Sequence, residues 1–213
     1  MVTLNEAVLD RAAKLCRERG VVIPTLAQMR DPSKIPAKVK QKLPAIGLWD
    51  VNPLNLFRIS WKNDVKSGLY GDVNAFEIPK ALTGVDARII GVVGKYFPTG
   101  AHKVGAAFGC LVPRLVTGGF DPSSQKAVWP STGNYCRGGA FDCALLGTTA
   151  VAILPEGMSR ERFEWLKKIG AEVGVELGDQ NLVLRNADIK QAVRAVAEKM
   201  LERFDELMGH VNK

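Results

Sequence analysis

The sequence predicts an α/β fold in which a parallel sheet alternates with helices, and two observations support it. Short apolar runs recur along the second half of the chain with the length and β-branched content of strands, namely RIIGVV, KAVWP, TAVAILP and AEVGVEL. Between these runs lie longer stretches whose apolar residues have helical spacing. Strands that alternate with helices are typical of βαβ units, whose strands are parallel.

The four runs and the helices between them can be placed in order. RIIGVV, which starts at Arg88, is expected to be a buried strand, and the helix VGAAFGCLVPRLVTG that follows is disturbed by Pro113. The helix after KAVWP, NYCRGGAFDCALLG, is rich in small residues that permit close packing. The helix after TAVAILP, SRERFEWLKKIG, has Ser159 as its expected cap and Gly170 as its stop.

The segments on either side of this alternation have a different character. A helix is predicted from Thr3 to Arg19, with Thr3 and Glu6 as a capping box and Gly20 as a stop. Five prolines interrupt residues 21–72, which predicts an extended arm with three aromatic anchors, Trp49, Phe57 and Trp61.

A last helix is expected over residues 187–208, where apolar residues at helical spacing indicate core or an oligomer contact. The chain therefore divides into three predicted parts. They are an N-terminal helix and irregular arm (1–85), an α/β cofactor-binding-type domain (86–178) and a C-terminal helix (179–213).

Composition limits the classes of partner. The chain has 213 residues, 46% of them apolar and 24% charged, with a net charge of +7. Its basic residues are scattered, which favours a mildly basic surface over a nucleic-acid arm. Its four cysteines form no C-x-x-C pair and have no histidine near them, which predicts reduced thiols and no metal site. The N-terminus lacks the pattern of a signal peptide and no apolar run is long enough to span a bilayer, so we expect a cytoplasmic protein without nucleic-acid or membrane partners.

The chemistry indicated by the sequence centres on Lys103 and Asn134. Each follows a turn after a predicted strand, and the carboxyl ends of parallel strands meet at the edge of a sheet where ligands bind. The small and apolar neighbours of Lys103, such as Gly100, Ala101 and Gly105, predict a partly desolvated amine. A lysine of this kind suits Schiff-base chemistry on a bound aldehyde cofactor.

Each of these residues also has an ordinary interpretation. Most lysines are exposed and have no specific role, and a Gly-Asn pair is common in turns that bind nothing. His102 is interpreted as structural because it points away from its neighbour Lys103 on a helix or turn.

Three motifs resemble the fold type II pyridoxal-phosphate enzymes. FPTGAHKVG resembles the lysine motif of the family, PSTGNYCRGGAF resembles its Ser-x-Gly-Asn-x-Gly loop, and LPEGMSRERFEWLKKIGAEV resembles the stretch that follows. Together they cover residues 78–173 in the family's order and spacing. The members that look nearest are the cysteine synthase, cystathionine and tryptophan synthase beta types.

The resemblance implies a fold, a reaction class and a set of site residues. The fold would be the small domain of the family, and the reaction a lyase or synthase step on an amino-acid substrate, by beta-elimination or beta-replacement. Lys103 matches the Schiff-base lysine, and Asn134 the residue that bonds the phenolic oxygen of pyridoxal phosphate. The loop that holds the substrate carboxylate is matched by Ser131, Thr132 and Gly133. Family members are usually homodimers.

The sequence also departs from the family. Gly105 stands where many members have arginine, Ala101 replaces a common serine, and Tyr135 and Cys136 differ from the loop motif. No Gly-rich phosphate segment follows Val173. An alternative is therefore a truncated, catalytically incomplete relative that acts as a fragment or interaction module, or with a complementary chain. A nucleotide-binding sheet is disfavoured because no G-x-G-x-x-G follows the first strand.

Overall fold

The computed structural model describes residues 4–64, 66–67, 69–131, 133–155 and 157–173. The predicted C-terminal helix and the second half of the predicted strand AEVGVEL lie outside these residues, as do Thr3 and Thr132.

The chain begins with helix α1, Glu6–Glu18, which buries Val8 and Ala12. Its first turn is capped by Asn5, whose side-chain oxygen accepts a hydrogen bond from the Val8 amide at 3.3 Å. The predicted capping box is therefore wrong, because the helix starts at Glu6. The predicted stop is confirmed, since Gly20 has a φ of 62°, a conformation that glycine adopts without steric cost.

The arm between residues 21 and 72 is built from short helical turns, so the prediction of extended chain is wrong. Each of its three 3₁₀ turns has a proline at its first or second position, where the fixed φ of proline suits a helical start. Phe57 is buried as a predicted anchor, whereas Trp49 and Trp61 are partly exposed. The turns are α2 (Leu26–Arg30), α3 (Ala37–Lys40) and the 3₁₀ segments Pro32–Lys34, Leu43–Ala45 and Pro53–Arg58.

A buried arginine holds this arm together. The Arg58 guanidinium donates hydrogen bonds to the carbonyl oxygens of Leu43, at 2.8 Å, and of Ile46. The Asn55 side chain donates to the carbonyl oxygens of Gly47 and Asp50, at 2.9 and 2.8 Å. These side chains satisfy backbone carbonyls that regular secondary structure would otherwise pair.

Replacing this arginine with an apolar residue is expected to loosen the arm. Arg58→Met leaves buried carbonyl oxygens without donors, so the free energy of unfolding should fall by about 2–3 kcal/mol. Urea denaturation measures the change, and Lys38→Met, on the exposed side of α3, is the matched control. Equal urea midpoints for the two variants would show that the arm does not depend on Arg58.

Strands β1, Ala75–Ile78, and β2, Ile89–Val92, form an antiparallel pair in which Ala75 lies opposite Val92. A short helix, α4 (Lys80–Thr83), lies in the connection between them. RIIGVV is thus a strand, but the prediction that it is buried is wrong, because Ile90 is 53% exposed and Val92 49%. Its partner, β1, is the strand directly before it, and an apolar run does not by itself show whether a strand pairs in a buried parallel sheet or in an exposed antiparallel hairpin.

The parallel part of the fold follows. Strands β3, Ala127–Pro130, and β4, Ala150–Ile153, are parallel, and Glu172 makes a further parallel bridge to Val151. KAVWP and TAVAILP are therefore confirmed as strands, and within the described residues the parallel sheet consists of these two and the bridge. The helices that alternate with them are α5 (Lys103–Leu115), α6 (Asn134–Leu146) and α7 (Arg160–Lys168). Ser159 precedes α7 but makes no side-chain cap, contrary to expectation.

Helix α6 packs closely on two neighbours through adjacent glycines. A Cβ atom at Gly138 would lie 2.7 Å from both the Cα and the amide nitrogen of Val104 in α5. A Cβ atom at Gly139 would overlap the indole ring of Trp129 in β3. The expectation that small residues permit close packing of this helix is confirmed.

Candidate functional site

The turn before Lys103 is strained. Thr99 is 2% exposed and has a φ of 66° and a ψ of 6°, a left-handed conformation that costs a residue with a Cβ about 1–3 kcal/mol. Its hydroxyl oxygen has no hydrogen-bond partner in the part of the chain that the structure describes. Backbone strain and unpaired buried polar atoms of this kind cluster at functional sites, which marks this turn as a candidate.

Lys103 is the first residue of α5 and its side chain is exposed. Its amine makes no hydrogen bond or ion pair with any residue that the structure describes. The expected partial burial is wrong, because the apolar neighbours Val104 and Ala107 turn into the core, on another face of the helix. The amine is therefore open to a carbonyl compound from outside.

Asn134 is the first residue of α6 and is also exposed. The turn before it is fixed by two hydrogen bonds: the Ser131 amide donates to the Ile153 carbonyl at 3.1 Å, and the Gly133 amide donates to the Ser131 hydroxyl at 3.2 Å. The N-cap position is Gly133, so no side chain caps the helix. Thr132, the remaining residue of the predicted loop, lies outside the described residues.

The packing of α6 on α5 brings the two helix starts together. Gly138 lies against the backbone of Lys103 and Val104, and it follows Asn134 by about one helical turn, a rise of about 5.4 Å. Lys103 and Asn134 therefore occupy adjacent helix starts. Neither helix start has a side-chain cap. At the start of α5 the Val104 and Gly105 amides already donate to backbone carbonyl oxygens, at 3.4 and 2.9 Å, so the start of α6 is the better place for an anion.

An aromatic clamp on α6 has no counterpart in the sequence analysis. The Arg137 guanidinium lies 5.5 Å from the ring centroid of Trp49 and 5.3 Å from that of Trp165, within the range of cation–π attraction. The two indole rings meet edge to face at 5.6 Å. The clamp joins the arm and α7 to α6, and nothing local in the sequence connects residues so far apart.

A buried carboxyl on α6 was also missed. Asp142 is fully buried, and neither of its oxygens has a hydrogen-bond partner among the described residues. Burial raises the pKa of Asp142 well above its usual range. Beside it, burial raises the pKa of Cys143 to about 11, with the charge of Asp142 as a lesser cause. The only sequence signal is a charged residue within an apolar helix.

Two curated proteins are similar to part of this chain. Cystathionine beta-synthase from Saccharomyces cerevisiae is 33% identical over 97 residues, which are 46% of this chain and 19% of the yeast protein. Over these residues the chain is similar to the fold type II pyridoxal-phosphate enzymes. A probable cysteine synthase from Bacillus subtilis is 32% identical over 85 residues, which are 40% of this chain and 27% of the bacterial protein. No family model matches the chain.

The matches span about a fifth and about a quarter of the length of these two fold type II relatives. Both relatives are pyridoxal-phosphate-dependent enzymes. Among the described residues, no helix combines the length and apolar character needed to cross a bilayer.

The residues at the two helix starts fit one end of pyridoxal phosphate. An exposed amine without a partner, as at Lys103, is free to condense with an aldehyde, and the exposed Asn134 amide can donate to a ring oxygen. The turn before Lys103 fixes where the lysine backbone lies, and the side chain is exposed. None of the three motifs contains a Gly-rich segment that would bind the phosphate of the cofactor.

Proposed function

We propose that this chain holds pyridoxal phosphate through Lys103 and takes part in a beta-elimination or beta-replacement reaction of an amino acid. The observation that carries the proposal is the exposed, unpartnered Lys103 amine, which Gly138 keeps beside the start of α6. The similarity to cystathionine beta-synthase and to a probable cysteine synthase supports the same reaction class.

Each residue of the site has a distinct task in this proposal. Lys103 binds the aldehyde carbon of the cofactor, and Asn134 donates its side-chain amide to the ring oxygen. The bound cofactor supplies an electron sink for the carbanion at the substrate's α carbon. After release from the cofactor, the Lys103 amine accepts the proton from that carbon.

The loop before α6 is suited to a carboxylate. Ser131, Thr132 and Gly133 precede a helix start whose uncapped amides carry partial positive charge. The Gly133 amide already donates to the Ser131 oxygen at 3.2 Å, and the hydroxyl hydrogen of Ser131 is then the donor that this loop offers to a carboxylate. This loop would orient the substrate carboxylate and so place the α carbon near Lys103.

A second candidate function is favoured by the β1–β2 hairpin. The register places Phe76 and Ile89, 56% and 36% exposed, on one face of the hairpin and Ile90 and Val92, 53% and 49% exposed, on the other. Exposed apolar side chains on both faces are typical of a surface that another protein covers. In this alternative the chain is an interaction module, or one part of an enzyme that a complementary chain completes.

Reductive labelling tests the proposed function. The chain is mixed with pyridoxal phosphate, its visible absorption spectrum is recorded, and borohydride reduction is followed by peptide mapping. We expect a visible band and a label confined to Lys103. Lys103→Arg keeps the charge but should lose the visible band and the label. Lys95 is an exposed lysine of the preceding segment, and Lys95→Arg should keep the band and the label. A label spread over many surface lysines contradicts the proposal and favours the interaction module.

A further inference from the structure

A cavity of about 610 Å³ lies between the arm and the first turns of α5. Its volume is within the range of small-molecule sites, roughly 300–1,000 Å³. Neither Lys103 nor Asn134 lines it, so it is separate from the candidate cofactor site. Two buried side chains on its lining, Ile59 and Phe97, make its base apolar.

One wall of the cavity is flat and aromatic. The rings of Trp61 and His102 are stacked with their centroids 5.4 Å apart and their planes 24° from parallel. Trp61 also meets the edge of Phe97 at 4.9 Å. The two rings cover each other on one side, so a planar ring that enters the cavity can stack on an outer face of this pair.

The charge on the cavity lining is positive. Arg30 and Lys62 line it, and no aspartate or glutamate does. The Arg30 guanidinium makes no ion pair or hydrogen bond with the residues that the structure describes. The neighbouring carboxylate, Asp31, accepts hydrogen bonds from Ser33, pairs with Lys34 at 3.8 Å and also attracts the Lys62 amine, so Arg30 carries most of the uncompensated charge.

We propose that this cavity is a binding site for a small planar aromatic carboxylate. The ring lies on the apolar base and stacks on an outer face of the Trp61–His102 pair, and the carboxylate faces Arg30, with Lys62 beside it. A neutral aromatic molecule of the same shape loses the charge pairing, and an aliphatic carboxylate loses the stacking. The site does not depend on the proposed cofactor, since it shares no residue with the cofactor site.

Naphthoate is a suitable probe, and His102 reports its binding directly. The chain contains two histidines, so two sets of imidazole proton signals appear in the NMR spectrum and His102→Gln identifies one of them. Titration with naphthoate should shift the His102 signals in a saturable way, because an aromatic ring packs beside the imidazole. Naphthamide, which is neutral and has the same shape, should bind roughly fivefold more weakly or worse.

Variants of the lining residues separate the contribution of charge to naphthoate binding from the contribution of cavity shape. Arg30→Gln and Lys62→Gln should each raise the Kd for naphthoate by roughly fivefold, the value of about one exposed ion pair. Lys38→Gln, an equal change of charge on α3, should leave the Kd unchanged. Ala106→Leu fills the cavity from an exposed position on α5 and should abolish the shift, with circular dichroism to verify the fold.

Lys103→Gln tests whether naphthoate binds in this cavity or at the candidate cofactor site. Binding in the cavity should leave the Kd for naphthoate unchanged in this variant. Loss of binding in that variant would place the probe at the candidate cofactor site and overturn the proposal. The absence of a saturable His102 shift, an equal Kd for naphthamide, or an unchanged Kd in a folded Ala106→Leu protein would each overturn it as well.

Discussion

Gly138→Val is expected to lower the free energy of unfolding by about 3 kcal/mol or more. The new Cβ atom would lie 2.7 Å from the Cα and amide nitrogen of Val104, and backbone atoms cannot rotate away as a flexible side chain can. Helices α5 and α6 must then separate. Urea denaturation gives the change in stability, and the reductive label at Lys103 should fall as well, because the helix starts no longer adjoin.

Gly109 provides a matched control for this substitution. It is an exposed glycine within α5, and no atom lies within 4 Å of the place its Cβ would occupy. Gly109→Ala should therefore raise the free energy of unfolding by about 0.5–1 kcal/mol through helix propensity and the lower entropy of the unfolded chain. The two glycine substitutions are thus expected to change the free energy of unfolding in opposite directions. A wild-type urea midpoint for Gly138→Val would contradict the described contact.

Asp142→Asn is expected to make the free energy of unfolding of the chain less dependent on pH. Burial raises the pKa of Asp142 in the folded state, whereas the unfolded value is about 3.9. Between these two values the folded chain keeps a proton that the unfolded chain loses. The contribution to stability is therefore complete below the unfolded pKa and falls as pH rises towards the folded pKa, by at most about 1.4 kcal/mol per pH unit.

Asparagine has nearly the same size but cannot ionise, so Asp142→Asn should unfold with a flatter pH profile. At neutral pH we expect it to be more stable than the wild type by about 1–3 kcal/mol, because ionisation stabilises the unfolded wild type and cannot stabilise the unfolded variant. The buried amide lacks partners as the carboxyl does, so that cost is common to both proteins. Urea midpoints measured from acid to mildly alkaline pH give the profile. Asp10→Asn, on the exposed side of α1, should leave the wild-type slope in place. Identical slopes for the wild type and Asp142→Asn would refute the role of this carboxyl.

The elements that local pattern specifies were predictable. KAVWP and TAVAILP became β3 and β4, and NYCRGGAFDCALLG became α6, since each carries its own periodicity and turn residues. RIIGVV was predicted as a strand, but its exposure was not, because an apolar run does not show that it pairs with β1 in an antiparallel hairpin outside the parallel sheet. In the arm the prolines signalled interruptions, but the turns depend on the tertiary hydrogen bonds of Arg58.

The sequence predicted where the candidate site lies, but it did not predict the surroundings of the side chains there. The turns before Lys103 and Asn134 identified two helix starts, and the structure makes them adjacent. The exposure of Lys103 depends on which face of α5 meets α6, and the sequence around the lysine does not specify that face. The clamp of Trp49 and Trp165 on Arg137 brings together three distant parts of the chain, so only the folded structure reveals it.

The pair of glycines in α6 has a consequence for how such a site can diversify. Backbone contact at Gly138 and ring contact at Gly139 set the spacing of the two helix starts. The exposed side chains at these starts take no part in setting it. The exposed residues can therefore be exchanged while the scaffold stays constant, so under the proposed function a change of substrate needs only single substitutions in one loop.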